Sequence, residues 1–498
     1  MQRDRLTAWR RPRELAVLIA VLALPVAATN ALQILLGYVD TRMLSPLGGP
    51  ALSAMSVGRA GTMLMMALFM GLGVGITAYV ARLTGAGRHP EARRYAAAGI
   101  LTGAVLGLLL TIAGLWLAKG PVQMMVTAGG PGADLHSMEV ARRYAWDFMR
   151  VLFVSMAGVG VMVSAVSVFN SLGRTLYPMW LLLLANLANF VGNVLFIPRF
   201  EVFGSSVSTA ITTLITASVA VVTLTRLGAL AWNLDGVLAA LARAWARLKV
   251  GLPATVQMAL RTLSMLTLIK MITLLPNSVS GQGALHVGLQ AESLAFMPAF
   301  AFSTAAAALI GQHLGARQPH RARTAALFCL GGSQLVMWTM GSLLFIFPGW
   351  FVGLFIGHNA PEVMPVAVGF LRVLALCLPG LGLSMTMMGV LRGSGDTLIT
   401  AVISFIAMYG VRLPLAAFLA LSGLGSAHLG LGWGLNGIWW AMTLSVYVEA
   451  GLAYLRFASG RWARIELAGE EPTAATGAGR GRLAAREAMA LGDLGDES

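Results

Sequence analysis

The sequence predicts an all-α, polytopic membrane protein: twelve transmembrane helices in two parallel six-helix repeats. Three observations carry that prediction. Apolar residues make up 57% of the 498-residue chain and charged residues 11%, which leaves too little polar surface to cover a water-soluble globule. Apolar runs of the roughly 20 residues needed to cross a hydrocarbon core of about 30 Å recur from end to end. Short motifs of the first half also return in the second at nearly constant offset, the mark of internal duplication.

Bounded by charge, Pro or Gly, the runs fall at about 15–44, 51–83, 95–118, 144–170, 177–198, 204–226, 252–275, 283–313, 323–347, 366–391, 397–421 and 434–458. The N-terminal arginines before LAVLIAVLALPVAA resemble the start of a signal peptide. The apolar run continues to Val39, however, so a retained first span is expected. Of the 35 basic residues, 24 fall on the side that holds the N-terminus and five (Arg42, Lys119, Arg142, Arg143, Arg199) on the other. That bias places both termini in the cytoplasm, with the inner membrane as the expected location. It also explains a net charge of +15 without nucleic acid as a partner.

The repeats follow from three pairs of markers. ALPVAATNAL, with Pro25, answers GLPATVQMAL, with Pro253; TGAGRHPEARR, with Gly85, answers LGARQPHRARTA, with Gly315; LGRTLYPM, with Thr175, answers SGDTLITA, with Thr397. Six spans is an even number, so both halves enter the bilayer from the same side and the repeats are parallel. The expected division is a basic cytoplasmic N-terminus (1–14), an N-terminal lobe (15–226), an amphipathic cytoplasmic linker (227–251), a C-terminal lobe (252–458) and a disordered cytoplasmic tail (459–498). In the linker, Leu234, Val237, Leu238, Leu241, Trp245 and Leu248 recur at helical spacing, which suits either a surface-lying helix or a slightly extended end of the neighbouring span.

Enzyme chemistry has little to stand on. The chain has no nucleotide-binding G-x-x-x-x-G-K-[ST] loop, no HExxH and no GxSxG, and its seven histidines never pair at metal-ligand spacing. Cys329 and Cys377 both lie inside apolar runs, so neither a disulfide nor a thiolate metal site is expected. Transport driven by an ion gradient remains, with no cofactor and no bound metal beyond a coupling proton or sodium ion.

Ionisable groups within spans are costly and each needs a reason. Asp40, toward the outer end of the first span, either carries the coupling ion or sits at the outer interface paired with Arg42. Pro25 removes a helix hydrogen bond fifteen residues earlier and is a candidate hinge. Asn186, Asn189 and Asn193 share one face of the fifth span; with Thr209 in the sixth they either glue helices or line a polar cavity. Glu449 is expected near the inner interface. Arg261 and Lys270 flank the middle of the seventh span, where they either pair with an acid, Glu292 of the eighth span being the expected one, or face an aqueous cavity and favour anionic cargo.

Four segments, in this order, resemble the multidrug and toxic compound extrusion (MATE) family: LPVAATNALQILLGYVDTRML, VARLTGAG, AESLAFMPAFAFSTAAAALIGQHLGA and GVLRGSGDT. The resemblance runs from about residue 15 to 458. It implies a V-shaped pair of lobes that exports amphipathic, often cationic compounds by antiport with protons or sodium ions, working as a monomer on a small-molecule substrate within the lipid bilayer. By the same resemblance Asp40 matches the coupling aspartate and Pro25 the bending proline. Asn189 and Asn193 fall where the family's fifth helix places an Asn and an Asp, and Thr209 matches a pocket threonine. Arg261 and Leu381 stand where some branches carry a second, C-lobe cation site, so that site is expected to be absent. A lipid-linked oligosaccharide flippase of the same superfamily is the rival within transport, to be favoured if Arg59, Arg261, Lys270 and Arg372 converge on one cavity. A membrane-embedded lipid-modifying enzyme is the rival outside it.

Overall fold

A computed structural model describes residues 12–47, 49–117, 135–232, 244–275, 278–356, 363–421 and 430–465. The first three spans are Pro12–Leu44, Gly49–Gly85 and His89–Leu117. The fourth is a pair of helices, Leu135–Val154 and Met156–Ser171, bent by 51° where they join. Leu176–Arg226 is 51 residues, which as one straight helix would be about 76 Å, more than twice a bilayer core. It is two spans. Glu201 has φ 53° and ψ −129°, which reverses the chain, and Ser208 Oγ donates back to the carbonyl of Asn189 at 3.0 Å. The fifth and sixth spans are therefore an antiparallel hairpin.

The seventh to tenth spans are Ala244–Thr273, Ser278–Gly315, Pro319–Ile346 and Met364–Gly393. The eleventh, Thr397–Ala420, contains a π-helical stretch over Ile406–Arg412; the twelfth is Leu435–Ala458. Twelve spans thus stand among the described residues. Trp116, Leu335 and Leu24 are 86%, 70% and 68% exposed, an arrangement that only an apolar solvent tolerates along whole helices.

Duplication extends to the caps. After the second span Gly87 (φ 77°) ends the helix, and after the eighth Arg317 (φ 57°) does the same 230 residues on. Arg88 N–H returns to the Leu83 carbonyl at 3.0 Å, and Gln318 N–H to that of His313 at 2.8 Å. Both are the left-handed C-terminal cap that satisfies otherwise orphaned carbonyls. Inside each half a tight helix contact recurs with its partners exchanged. Gly73 of the second span packs on Ser167 of the fourth, and Gly389 of the tenth packs on Ser303 of the eighth. Small residues let helix backbones approach where lipid removes the usual hydrophobic drive.

Each half has its own apolar core, around Ile76, Phe169 and Leu224 in one and Leu268, Phe370 and Trp439 in the other. The first span is shared between them: it packs on the eighth and ninth spans, and its Leu15, Ile19 and Leu22 belong to a buried cluster of the second half. The halves meet along the second, seventh and eighth spans as well.

Of the linker, residues 233–243 lie outside the described residues, and 244–249 continue into the seventh span as one helix. Of the N-terminal segment, residues 1–11 lie outside the described residues, and the first helix already begins at Pro12. The proposed tail is described only to Ile465, with a short 3-10 turn at Arg461–Arg464.

Candidate functional site

The first and fifth spans run parallel and are joined by three side chains of the fifth. Thr175 Oγ1 reaches the Val21 carbonyl at 3.4 Å, Asn186 Nδ2 donates to the Leu32 carbonyl at 3.1 Å, and Asn193 Nδ2 donates to Asp40 Oδ1 at 2.7 Å. Pro25 gives the first of these its meaning. Proline has no N–H, so the carbonyl four residues back, that of Val21, loses its helical donor, and Thr175 stands in for it. Thr29 Oγ1 caps the Pro25 carbonyl at 2.7 Å.

Asp40 heads a chain of polar groups. Asn193 Nδ2 also donates to Asn189 Oδ1 at 3.0 Å, and Asn189 Nδ2 donates to Thr209 Oγ1 at 3.1 Å. Asn189 and Asn193 are fully buried, and Asp40 is half-buried. Four of the residues singled out from sequence in this half therefore form one connected network. One acceptor in it is unpaired: Asn193 Oδ1 is buried without a hydrogen-bond partner among the described residues. A solvent-excluded acceptor beside a carboxylate is costly. A cation shared with Asp40 would satisfy it. So would an amide rotation that presents Oδ1 to a protonated Asp40.

In the other half the structure corrects two expectations. Arg261 does not pair with Glu292: its Nη2 lies 3.2 Å from Glu449 Oε2. Glu449 is not interfacial but 1% exposed, and it also accepts from Ser384 Oγ at 2.9 Å and Ser404 Oγ at 2.6 Å. The cause is position. The twelfth span lies against the tenth and, through the eleventh, faces the seventh, which puts Glu449 rather than Glu292 opposite the Arg261 fork. Glu292 is half-buried and makes no ion pair among the described residues. Lys270 and Arg372 are exposed. A second shell of bonds runs from Arg392 Nη2 to Gln257 Oε1 (2.7 Å) and from Gln257 Nε2 to Ser404 Oγ (2.6 Å).

Sequence reasoning missed Gln257, Ser384, Arg392 and Ser404. Only Gln257 carried a signal, four residues before Arg261 on the same helical face. Leu381 is buried among apolar residues. No group of three or more His, Cys, Asp or Glu able to hold a metal occurs among the described residues.

A cavity of about 490 Å³ opens between the first, eighth and ninth spans, lined by Ile19, Phe302, Phe328 and Gly332 among others. It is apolar and lies about 20 residues along the first helix from Asp40, some 30 Å away at helical rise. It is therefore separate from the polar network.

The family pattern named MatE matches residues 25–195 and 253–418, one segment in each half. A probable multidrug resistance protein NorM of Thermotoga maritima is 24% identical over 449 residues, covering 89% of this chain and 92% of that protein. The protein of the same name in Synechococcus is 28% identical over 453 residues, covering 88% and 92%. Among solved structures, an outward-facing multidrug resistance MATE family transporter of the MOP superfamily superposes with a TM-score of 0.78 at 19% identity, over 90% of this chain and 97% of that one. The two relatives are named as multidrug resistance proteins and the solved structure as a transporter, whose fold this chain shares. The chain belongs to the MatE family of membrane transporters.

Proposed function

We propose that this protein is a secondary efflux carrier of the cell's inner membrane. It exports small amphipathic compounds, cationic ones among them, in exchange for protons, or for sodium ions, with Asp40 carrying the coupling ion and both termini in the cytoplasm. The observation that carries the reading is the network Asp40, Asn193, Asn189 and Thr209, with its one unpaired acceptor. Asp40 with a bound cation and Asp40 without one demand different orientations of the Asn193 amide. Occupancy of the carboxyl is thereby tied to how the fifth and sixth spans sit against the first. A carrier needs this kind of link, a site whose affinity differs between two arrangements of the same helices. The names of the relatives, multidrug resistance proteins, supply the substrate class.

The test uses everted vesicles with pH and sodium gradients imposed separately. Asp40→Asn abolishes substrate-dependent proton or sodium movement while the protein remains inserted; undiminished exchange refutes the coupling role. The flippase reading required Arg59, Arg261, Lys270 and Arg372 to converge. Arg261 is bonded to Glu449, Lys270 and Arg372 are exposed without an ion pair among the described residues, and the side chain of Arg59 lies outside the described residues. That reading gains no support from them.

A further inference from the structure

Charge in the C-terminal half does not balance. Arg261, Arg392 and Arg412, on the seventh, tenth and eleventh spans, gather around one directly bonded carboxylate, Glu449. Glu292, on the eighth span, lies within electrostatic reach of Arg261 and Arg412 but forms no ion pair among the described residues. Even with both carboxylates ionised, three guanidiniums face two acids, and intramembrane charges are otherwise partnered.

Arg392 Nε is unpaired but solvent-excluded, so the capacity open to an incoming group sits on the other two arginines. Arg412 is 8% exposed, and its Nε donates to Ser445 Oγ at 2.8 Å. Its two terminal nitrogens have no protein partner among the described residues, yet they are not solvent-excluded. They face accessible space from within the span. Arg261 spends one nitrogen on Glu449, at 3.2 Å, and its side chain stays 32% exposed while that of Glu449 is 1%. A guanidinium offers five N–H donors in a fixed fork suited to carboxylate and phosphate oxygens. Arg412 also ends the π-helical stretch Ile406–Arg412, a local widening of the helix that recurs at functional sites.

We propose that Arg412 and Arg261 form a binding site for an oxyanion group, a carboxylate or phosphate carried by an amphipathic molecule, within the C-terminal six helices. The site rests on the carrier reading for its purpose, but its existence is measured without transport. Arg392, tied to Gln257, is a positioning residue that holds Ser404 and Glu449 in place; Glu449 fixes Arg261 while leaving most of its fork unused.

The experiment measures binding of dansylglycine, a carboxylate, and dansylglycinamide, its neutral amide, to the purified full-length protein in phosphatidylcholine nanodiscs. Wild type is expected to prefer the carboxylate by about tenfold or more. Arg412→Gln is expected to bring the two probes to parity, and Arg412→Lys to retain part of the preference because charge remains without the fork. Equal binding of the two probes by wild type, or an undiminished preference in folded Arg412→Gln, overturns the site. Should Arg412→Gln fail to fold, Arg261→Gln decides, and a preference unchanged in that variant overturns the site equally. Repeating the measurement in phosphatidylglycerol nanodiscs separates the sources: competition by this net-anionic lipid assigns the site to an anionic lipid headgroup, its absence to a soluble solute. Export of ethidium by wild-type vesicles is read separately. Its failure with the carboxylate preference intact counts against the carrier reading and leaves the oxyanion site standing.

Discussion

Gly85, at the end of the second span, lies so close to the backbone carbonyl of Gln312 in the eighth that a β-carbon there would overlap the oxygen. Gly315 meets the carbonyl of Arg82 in the same way. Both members of the second contact are displaced by 230 residues from those of the first, so this is one contact made twice by the duplicated halves. Gln312 is fixed further by donating Nε2 to the Ser171 carbonyl at 2.7 Å. Gly71 and Gly251 add a third close backbone approach, and Gly311 packs on Ala81. The contacts of Gly85, Gly315 and Gly311 join the two halves where the second and eighth spans end, and that of Gly71 joins them further back, between the second and seventh spans.

Gly315→Ala is expected to prevent this approach. Overpacking a close backbone contact costs about 1–3 kcal/mol, enough to move a two-state equilibrium by roughly five- to more than hundredfold. Ala81, fully buried there, supplies the readout: thiol labelling of Ala81→Cys should rise in the Gly315→Ala background and export should fall. Gly369→Ala is the control, since its β-carbon would meet nothing within 4 Å. Unchanged labelling refutes the role of the contact.

Pro25→Ala separates packing from motion. The substitution returns an N–H to the Val21 carbonyl and recovers part of the roughly 3 kcal/mol that a proline costs inside a helix. Thermal stability in detergent should rise or hold while export falls. Normal export would remove the hinge role.

Asn193→Ala leaves Asp40 and Asn189 each without a hydrogen bond of 2.7 Å and 3.0 Å respectively. The expected loss of stability is about 1–3 kcal/mol, the cost of stranding buried polar partners. Ion-coupled export should fall at least as far as in Thr209→Val, which removes only the last link of the chain. Export and unfolding measured side by side decide this, and wild-type coupling in Asn193→Ala would dissociate the amide from the ion.

Glu449→Ala and Glu292→Gln compare the two intramembrane acids of the C-terminal half. The first strands Arg261, Ser384 and Ser404 and is expected to destabilise by about 3 kcal/mol or more. The second breaks no ion pair among the described residues and is expected to cost under about 1 kcal/mol. Thermal unfolding of both variants checks the order, which the Arg261 to Glu292 pairing would reverse.

Arg317→Gly is expected to stabilise. Arg317 holds a left-handed conformation at φ 57° where its counterpart Gly87 holds φ 77°, and the β-carbon penalty of that region is about 1–2 kcal/mol. A rise in melting temperature without loss of export confirms the strain, and a fall contradicts it.

By itself the sequence determined what a one-dimensional pattern can carry. Hydrocarbon thickness sets the length of each apolar run; a shared helical face follows from the spacing of Asn186, Asn189 and Asn193; and duplication appears as Gly85 answering Gly315. Those features depend on residues near one another in the chain, or on matching positions in its two halves. Tertiary structure alone decided partnership. Arg261 and Glu449 are 188 residues apart, and nothing in helical periodicity says which of five other helices a given face meets. The same holds for Thr175 standing in for the donor that Pro25 removes, and for Ser208 bonding back to Asn189 across the hairpin of the fifth and sixth spans. A bilayer fixes how deep a side chain sits, whereas which oxygen meets which nitrogen is fixed only when the helices pack.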